Sequence, residues 1–460
     1  MVVRPLRWRV SAPRRLLVSL FALLSAVAAH AAQDRVPLNL RLSRTATTTP
    51  DNASLAVAQR AGAGASLSLD DAARIAAAHA PQVQANQYRI EAARQDAVRA
   101  GRLPDPMLMA GINNLTATGP QAFNAAADDM TMRQLGITQE IPSHTKRAAE
   151  KQVAQASVQL ANANEVSLRL ATQEAAASAW VALWTAQQER ALLSELRGQD
   201  QLAIDVGKAR LAGGMGTATT VLAARADAEA LANQIDAADA DVAAARAGLQ
   251  RWLGEAADRP LGDPPDFSTL RVPEARLEAK LDQQGALLTW EPREEQADAA
   301  IALARAGKRP DFSVSLMYGE RINRPDMLAI EFGVSLPVFP GNRQDRNISA
   351  RYADRAAVRA EFEDARRAQR QAVAQAVADW QGWDRQVRRF RKRLLPLAAD
   401  RSRTALALYR AGGSLEPWLE ARRDEIRTRV DYAKALSAWG KAWVALAYLL
   451  PDQDNVELPQ

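Results

Sequence analysis

The sequence predicts a mainly α-helical fold in which one unit, two β-strands followed by a long antiparallel coiled-coil helical hairpin, occurs twice. Three observations predict it. The chain contains an internal repeat, two pairs of segments alternate between apolar and polar residues, and two very long tracts are almost free of Pro and Gly. We place repeat 1 at residues 67–270 and repeat 2 at residues 271–450.

The internal repeat consists of four landmarks that return in the same order. Ala-Gly-Arg-Leu-Pro-Asp at residues 100–105 returns as Ala-Gly-Lys-Arg-Pro-Asp at residues 306–311. The other three landmarks are residues 135–138 with 332–335, Ala179-Trp180 with Asp379-Trp380, and residues 212–214 with 411–413. Chance can produce one such match, but four in one order indicate duplication of a single unit.

Within each repeat a helical pattern changes to a predicted pair of β-strands, because apolar residues alternate there with small or polar ones. The strands are predicted at about residues 105–115 and 131–141 in repeat 1, and at about 311–320 and 327–338 in repeat 2. Their apolar face and length match a tilted transmembrane strand of roughly 9 to 11 residues. A hairpin in a soluble sheet is the alternative.

A long helical hairpin follows each strand pair. We predict these hairpins at about residues 147–253 and 343–449, where heptad-like apolar spacing is typical of coiled helices. The first helix of each hairpin ends at a glycine pair, Gly213-Gly214 or Gly412-Gly413. Glycine permits the positive φ at which many helices end, so we expect these four residues to form the turns.

The two ends of the chain are predicted to lie outside the repeats. Residues 1–31 have the order of a secretory signal peptide: five arginines, an apolar run and a final Ala29-His30-Ala31. Residues 32–66 are predicted to be a flexible segment, and residues 451–460 a C-terminal tail. No Cys follows the predicted cleavage site, so we expect no lipid anchor.

The composition excludes several functions. The chain has no Cys and only three His, so Cys-ligated zinc, iron–sulfur clusters, disulfides and thiol catalysis lack their atoms. We find no phosphate-binding loop or nucleophile elbow, and we predict no enzyme, no catalytic residue, no cofactor and no resident metal. The formal charge of +6 comes almost entirely from the arginines of residues 1–31, which argues against a nucleic-acid partner.

Four strands cannot close a barrel. The backbone groups on an open sheet edge cannot face lipid without hydrogen-bond partners, so several chains have to share one barrel. Three copies would supply 12 strands and 12 long helices. The expected assembly is a ring of strands in the membrane, continued by a helical tube.

The order of export signal, strand pair, helical hairpin and duplication resembles the TolC family of outer-membrane efflux channels. The local stretches that carry the resemblance are residues 69–76 with Ala80-Pro81, residues 249–254, and residues 409–412 with 419–421. The resemblance implies a homotrimer with a shared 12-stranded β-barrel and an α-helical tunnel, in the bacterial outer membrane and extending into the periplasm. It also implies two partners, a periplasmic adaptor and an inner-membrane pump of the resistance–nodulation–division class.

The resemblance further implies that the tip of the second hairpin lines the periplasmic entrance. Glu416 and Glu420 are candidates for an acidic selectivity ring: they are four residues apart, so they can share a helix face, and threefold symmetry would give rings of carboxylates. A solvated acidic face is the alternative. Tyr409 and Arg410 are candidates for contacts that hold the entrance closed, although Tyr409 can equally be ordinary packing. Adaptor docking is expected at Gly213, Gly214, Gly412 and Gly413.

Four methionines cluster around the first strand pair: Met107, Met109, Met130 and Met132. Thioethers can bind Cu(I), but methionine more often fills apolar space. Residues 105–108 and 128–132 and Lys146-Arg147 resemble the branch of the family found with heavy-metal efflux pumps. On that resemblance we favour heavy-metal cations, such as copper, silver, cobalt, zinc or cadmium, over drugs. A periplasmic coiled-coil adaptor or structural protein without a pore is the competing hypothesis.

Overall fold

The computed structural model describes residues 66–126, 128–322 and 324–451. The predicted signal peptide, the predicted flexible segment up to residue 65, and the tail after Pro451 lie outside the described residues.

Within the described residues the chain forms four β-strands and ten α-helices. In repeat 1 they are α1 (Leu69–His79), α2 (Pro81–Arg99), β1 (Met107–Asn113), β2 (Met132–Ile141), α3 (His144–Ser194), α4 (Arg197–Ala212) and α5 (Ala218–Leu253). In repeat 2 they are α6 (Glu274–Ala279), α7 (Trp290–Ala306), β3 (Phe312–Arg321), β4 (Met327–Val334), α8 (Gln344–Arg389), α9 (Leu395–Arg410) and α10 (Glu416–Ala447). Each repeat thus contains a strand pair followed by a helical hairpin.

The four strands form one antiparallel sheet in the order β1-β2-β3-β4. Strands β2 and β3 come from different repeats and pair along their whole length; Gly136 lies opposite Met317 and Thr138 opposite Ser315. The hydroxyl groups of Thr138 and Ser315 are hydrogen-bonded at 2.9 Å. The repeats therefore share one sheet, and within the described chain β1 and β4 are its unpaired edges.

Strand β4 is shorter than the sequence predicts. It ends at Val334 instead of at about residue 338. The Ser335 amide still donates to the Asp311 carbonyl at 2.9 Å, but Pro337 has no N–H to donate and the regular ladder stops before it.

The two faces of the sheet differ in chemistry. One face carries apolar side chains: Leu108, Ile112, Leu135, Ile137, Phe312, Val314, Leu316, Leu328, Ile330, Phe332 and Val334. Charged residues on this face lie at one end of the strands, where Arg133 and Glu320 pair at 3.6 Å. The opposite face carries small and polar residues and methionines, and its charged members are Glu140, Arg321 and Glu331. A sheet with these two faces suits a boundary between lipid and water.

Asp311 ties the sheet to the first helical hairpin. Its carboxylate accepts hydrogen bonds from the Ser143 amide and the Lys146 ammonium group, each at 2.9 Å. Because Asp311 precedes β3 and Ser143 caps α3, this contact joins repeat 2 to repeat 1 where strands give way to helices.

Both long helical tracts contain a break. In hairpin 1 the break is at Glu195 and Leu196, between α3 and α4. In hairpin 2 the π-helix Phe390–Leu394 separates α8 from α9. Pro396 explains the second break, since it lacks an N–H and its ring clashes with a carbonyl one turn earlier. No helix of the described residues is apolar over a length that would cross a membrane.

Equivalent tryptophans anchor the two hairpins to equivalent backbone carbonyls. The Trp180 indole N–H donates to the Leu67 carbonyl at 2.8 Å, and the Trp380 indole N–H donates to the Phe267 carbonyl at 2.8 Å. Phe267 also packs edge-on against Trp439 and Trp443, in the main hydrophobic core. The core thus joins both hairpins, and its matching anchors confirm the duplication.

We predict that Gly101→Ala lowers the melting temperature of the helical circular dichroism signal. Gly101 has φ +73°, which is unfavourable for Ala by about 1–2 kcal/mol, and an added Cβ would run into the Arg147 carbonyl. Gly248→Ala is the control: it lies within α5 with open space around its Cα, so it should be neutral or stabilising by up to about 1 kcal/mol. Equal melting temperatures of the two variants would contradict the assigned turn.

Candidate functional site

The candidate site is the pair of hairpin tips, where α4 turns into α5 and α9 turns into α10. Each turn contains one glycine with a positive φ: Gly214 at +72° and Gly412 at +113°. Their neighbours Gly213 and Gly413 complete the turns, with amides that donate to the Ala209 and Leu408 carbonyls at 3.0 and 2.9 Å. The structure therefore places all four predicted glycines in the two tip turns.

Arg210 binds the second tip from the first. Its guanidinium donates to the carbonyls of Tyr409, Gly412 and Gly413 at 3.2, 3.0 and 2.8 Å. These carbonyls lie at the C-terminus of α9 and in its turn, where the last carbonyls of a helix have no amide one turn later and where the helix dipole favours a cation. One side chain of hairpin 1 thus caps a helix of hairpin 2.

Tyr409 lies between the tips, and Arg410 does not. Tyr409 is 1% exposed and packs with Leu406, Leu415 and Trp418 in a small hydrophobic core; the Arg210 guanidinium lies 5.1 Å from its ring centre. Arg410 is exposed, and within the described residues it makes no hydrogen bond or ion pair. Of the two predicted gating residues, Tyr409 contacts the other hairpin, through Arg210.

A buried ion cluster joins the hairpins further from the tip turns. Arg422 of α10 is 1% exposed and donates to Asp200 of α4 at 2.8 Å. It also lies 3.4 Å from Glu425 and donates to the Leu196 carbonyl. That carbonyl lies in the break between α3 and α4, so Arg422 supplies a donor where the helix is interrupted.

The cluster continues along α10. Arg429 pairs with Glu425 and with Glu195, each at 2.9 Å. Asp200 remains incompletely paired, because its second carboxylate oxygen is buried without a hydrogen-bond partner. Burial raises the pKa of Asp200 above its ordinary value, although the hydrogen bond and charge of Arg422 oppose that shift. Arg422 and Arg429 together match the two buried carboxylates, Asp200 and Glu425, and this match is lost without Arg422.

An exposed acidic row runs along the first turns of α10. It consists of Glu416, Glu420 and Asp424, spaced four residues apart and therefore on one helix face. Hydrogen bonds from the Glu416 amide and the Ser414 side chain lower the pKa of Glu416. Arg401 of α9 binds Glu420 at 3.2 Å and Asp424 at 2.7 Å. Glu416 and Glu420 thus lie together, but Arg401 partly neutralises the row.

Sequence reasoning missed Arg210, Arg401, Arg422 and Asp424. The repeat contained a signal for one of them, because alignment of the glycine pairs makes Arg210 the equivalent of Tyr409, and these two residues contact each other. Arg422 gave no comparable signal, since its partner Asp200 lies more than 200 residues earlier. Nowhere in residues 66–126, 128–322 and 324–451 do three His, Asp or Glu side chains converge as a metal site.

Comparison with known proteins identifies the class. Residues 72–255 and 277–450 match the family described as outer membrane efflux protein. Because these segments cover more than half of the chain, the chain belongs to the outer membrane efflux protein family. No curated protein is similar enough to count as a match.

Solved structures of membrane proteins share the fold. A membrane protein from Pseudomonas aeruginosa has 19% identity and a TM-score of 0.68, covering 83% of this chain and 92% of its own. CusC, solved in a study of folding and transmembrane channel formation, has 16% identity and a TM-score of 0.69, with coverages of 83% and 92%. The CmeC outer membrane channel of Campylobacter jejuni has 12% identity and a TM-score of 0.66, with coverages of 83% and 84%. The predicted family and fold class are confirmed.

We predict that Arg422→Leu destabilises the hairpin tips, because it leaves Asp200 as a buried carboxylate without its cation and leaves Glu425 with Arg429 alone. Breaking a buried ion pair in this way costs about 3–5 kcal/mol. Thermal melting and limited proteolysis of the tips should both show the loss. Arg423→Leu is the matched control: this neighbouring arginine is exposed and pairs with Asp227 at 2.9 Å, an interaction of about 0–1 kcal/mol. Equal effects of the two substitutions would contradict the role of the cluster.

Proposed function

We propose that the chain is the outer-membrane channel of a tripartite efflux system and conducts its substrate passively as a homotrimer. A periplasmic adaptor and an inner-membrane pump of the resistance–nodulation–division class are its proposed partners, and the pump supplies the energy. The observation that supports this proposal best is the four-stranded sheet, which has one apolar face and two unpaired edges. Export by the signal peptide, without lipidation, is part of the proposal.

The sheet edges indicate how copies of the chain would assemble. In lipid, the free N–H and C=O groups of β1 and β4 require partners. Since the four strands alternate in direction, β4 of one copy is antiparallel to β1 of the next when the order continues around a ring. Three sheets joined in this way give the closed 12-stranded barrel, in which no edge remains.

The repeat also gives a register for this contact. Leu135 pairs with Tyr318 across the β2–β3 boundary, and Ile137 pairs with Leu316. In the duplicated sequence, Phe332 is the equivalent of Leu135, and Ile112 is the equivalent of Tyr318. In the same way, Val334 is the equivalent of Ile137, and Ala110 is the equivalent of Leu316. If both boundaries are built alike, Phe332 of one copy lies opposite Ile112 of the next.

We predict that Phe332→Cys combined with Ile112→Cys forms disulfides between copies under mild oxidation. The chain has no Cys of its own, so denaturing gels without reductant should show covalent dimers and trimers that arise only from the new pair. Phe332→Cys with Leu108→Cys is the control, because Leu108 lies four residues away, roughly 14 Å along the strand. No cross-link in the matched pair, with an assembled protein, would contradict this barrel. It would favour a periplasmic coiled-coil protein without a pore.

For the substrate, we propose heavy-metal cations rather than drugs, and we propose that the acidic row of α10 faces the entrance. Copies related by threefold symmetry would place Glu416, Glu420 and Asp424 around one opening, where carboxylates attract cations. The resemblance to the heavy-metal branch also supports metal cations. We place adaptor docking at the tip turns that contain Gly213, Gly214, Gly412 and Gly413.

We predict that replacing Glu416 and Glu420 with Gln and Asp424 with Asn reduces the cation preference of the channel. Arg401 then remains without its partners, so the entrance changes from acidic to basic. The measurement is the reversal potential of single channels in a planar bilayer under a KCl gradient. Glu255→Gln is the control, because this exposed residue lies beyond the other end of α5. An unchanged reversal potential in the triple variant would remove the acidic row from selectivity.

A further inference from the structure

Methionines are concentrated on the polar face of the sheet. Of the eight methionines in the chain, five occupy this face, and their side chains alternate along the strands with the apolar residues of the opposite face. The five are Met107, Met109, Met132, Met317 and Met327.

Two of these methionines flank a glycine in one row across three strands. Met109 of β1 lies opposite Gly136 of β2, which lies opposite Met317 of β3. A Cβ on Gly136 would lie 2.7 Å from the Met317 Cγ, so the Met317 side chain occupies the space above Gly136, on the side of Met109. Because Gly136 has no side chain, the Met317 side chain has room to extend toward Met109.

Met132 and Met327 form a second pair that also flanks a glycine. On the same face of the sheet, Met327 lies one row and Met132 two rows beyond the row of Met109 and Met317. The Met132 sulfur lies 3.3 Å from where a Cβ of Gly319 would be, and Gly319 lies opposite Met327. Met132 therefore leans over Gly319 toward Met327. Arg321, which pairs with Met132 in the ladder, donates its hydrogen bonds to the Pro325 carbonyl at 3.0 and 2.8 Å.

Packing in a hydrophobic core does not explain these methionines. A filler methionine is enclosed by a core, whereas Met107, Met109 and Met327 are 60%, 40% and 48% exposed. When the apolar face of the sheet contacts lipid, the methionine face lines the water-filled interior. Thr138, Ser315 and Glu331 share this face, so the methionines alternate with polar groups there.

The chemistry of the face selects a class of ligand. Thioethers are soft, neutral ligands that prefer soft cations such as Cu(I). The chain has no thiolate, which would bind such cations much more tightly. A channel requires binding that is favourable enough for entry but weak enough for release, and pairs of neutral thioethers meet both conditions.

We propose that the barrel interior binds soft monovalent metal cations, Cu(I) and Ag(I), through the pairs Met109/Met317 and Met132/Met327. This inference rests on the proposed channel function, because only a closed barrel makes the methionine face an interior. It adds a specific site and a metal class to that function. Three copies bring six such pairs into a band spanning roughly three rows of side chains, about 14 Å along the strands.

The test is titration of the purified full-length protein with silver nitrate in chloride-free buffer, followed by calorimetry. The background variant is Met130→Leu with Met215→Leu, which removes the two methionines of the described residues that lie outside the methionine face and keeps Met107. This background should bind Ag(I) as well as the wild type does. Adding Met109→Leu, Met317→Leu, Met132→Leu and Met327→Leu should weaken Ag(I) binding at least roughly tenfold, since Leu matches the volume but has no sulfur.

Two further readouts keep the outcomes distinct. X-ray absorption at the silver edge of the Ag(I)-loaded background variant should show sulfur neighbours around the silver. A shell of oxygen or nitrogen atoms alone overturns the proposal. This readout applies even if the fourfold Leu variant does not assemble. Potassium conductance in bilayers tests the channel separately. Conductance without Ag(I) binding to the methionines overturns this inference and leaves the channel intact, whereas an assembled protein without conductance overturns the proposed function.

Discussion

The requirement that every backbone polar group find a hydrogen-bond partner in lipid determines the architecture of this protein. The sheet has one apolar face for lipid, but its edge strands β1 and β4 leave their N–H and C=O groups unpaired within the chain. A ring of copies satisfies these groups without a new element, because each copy presents one edge of each kind. Duplication within the chain and assembly between chains then solve the same problem, the first at the β2–β3 boundary and the second at the outer edges.

The helical part depends on contacts that cross between repeats. Asp311 ties the sheet to α3, tryptophan anchors join the core, and Arg422 and Arg210 bind α3 and α9 at the positions where those helices break or end. Several of these contacts supply hydrogen-bond partners to backbone amides and carbonyls at helix ends, which have no partner within the helix. Contacts therefore join the two hairpins to each other at several depths, from the sheet to the tip turns.

The sequence predicts the elements well and their contacts poorly, for a physical reason. Strands, hairpins and tip turns depend on local periodicity and on glycine, so they can be recognised within windows of ten to seventy residues. Arg422 and Asp200 lie more than 200 residues apart, and nothing in the local pattern distinguishes Arg422 from the exposed Arg423 beside it. The same holds for Glu420, whose partner Arg401 is on another helix. Likewise, the methionines of repeat 1 show a cluster in sequence, but only the sheet register adds Met317 and Met327 to it.

The central claim is that several copies of this chain close one barrel, and the mass of the protein extracted from outer membranes in mild detergent tests it most directly. One chain has a mass of 49.9 kDa before any processing. Native mass spectrometry of the extract should give three times the mass of the mature chain, and the trimer should resist cold detergent and dissociate on heating. A monomer recovered from the soluble periplasmic fraction would contradict the shared barrel and with it the channel.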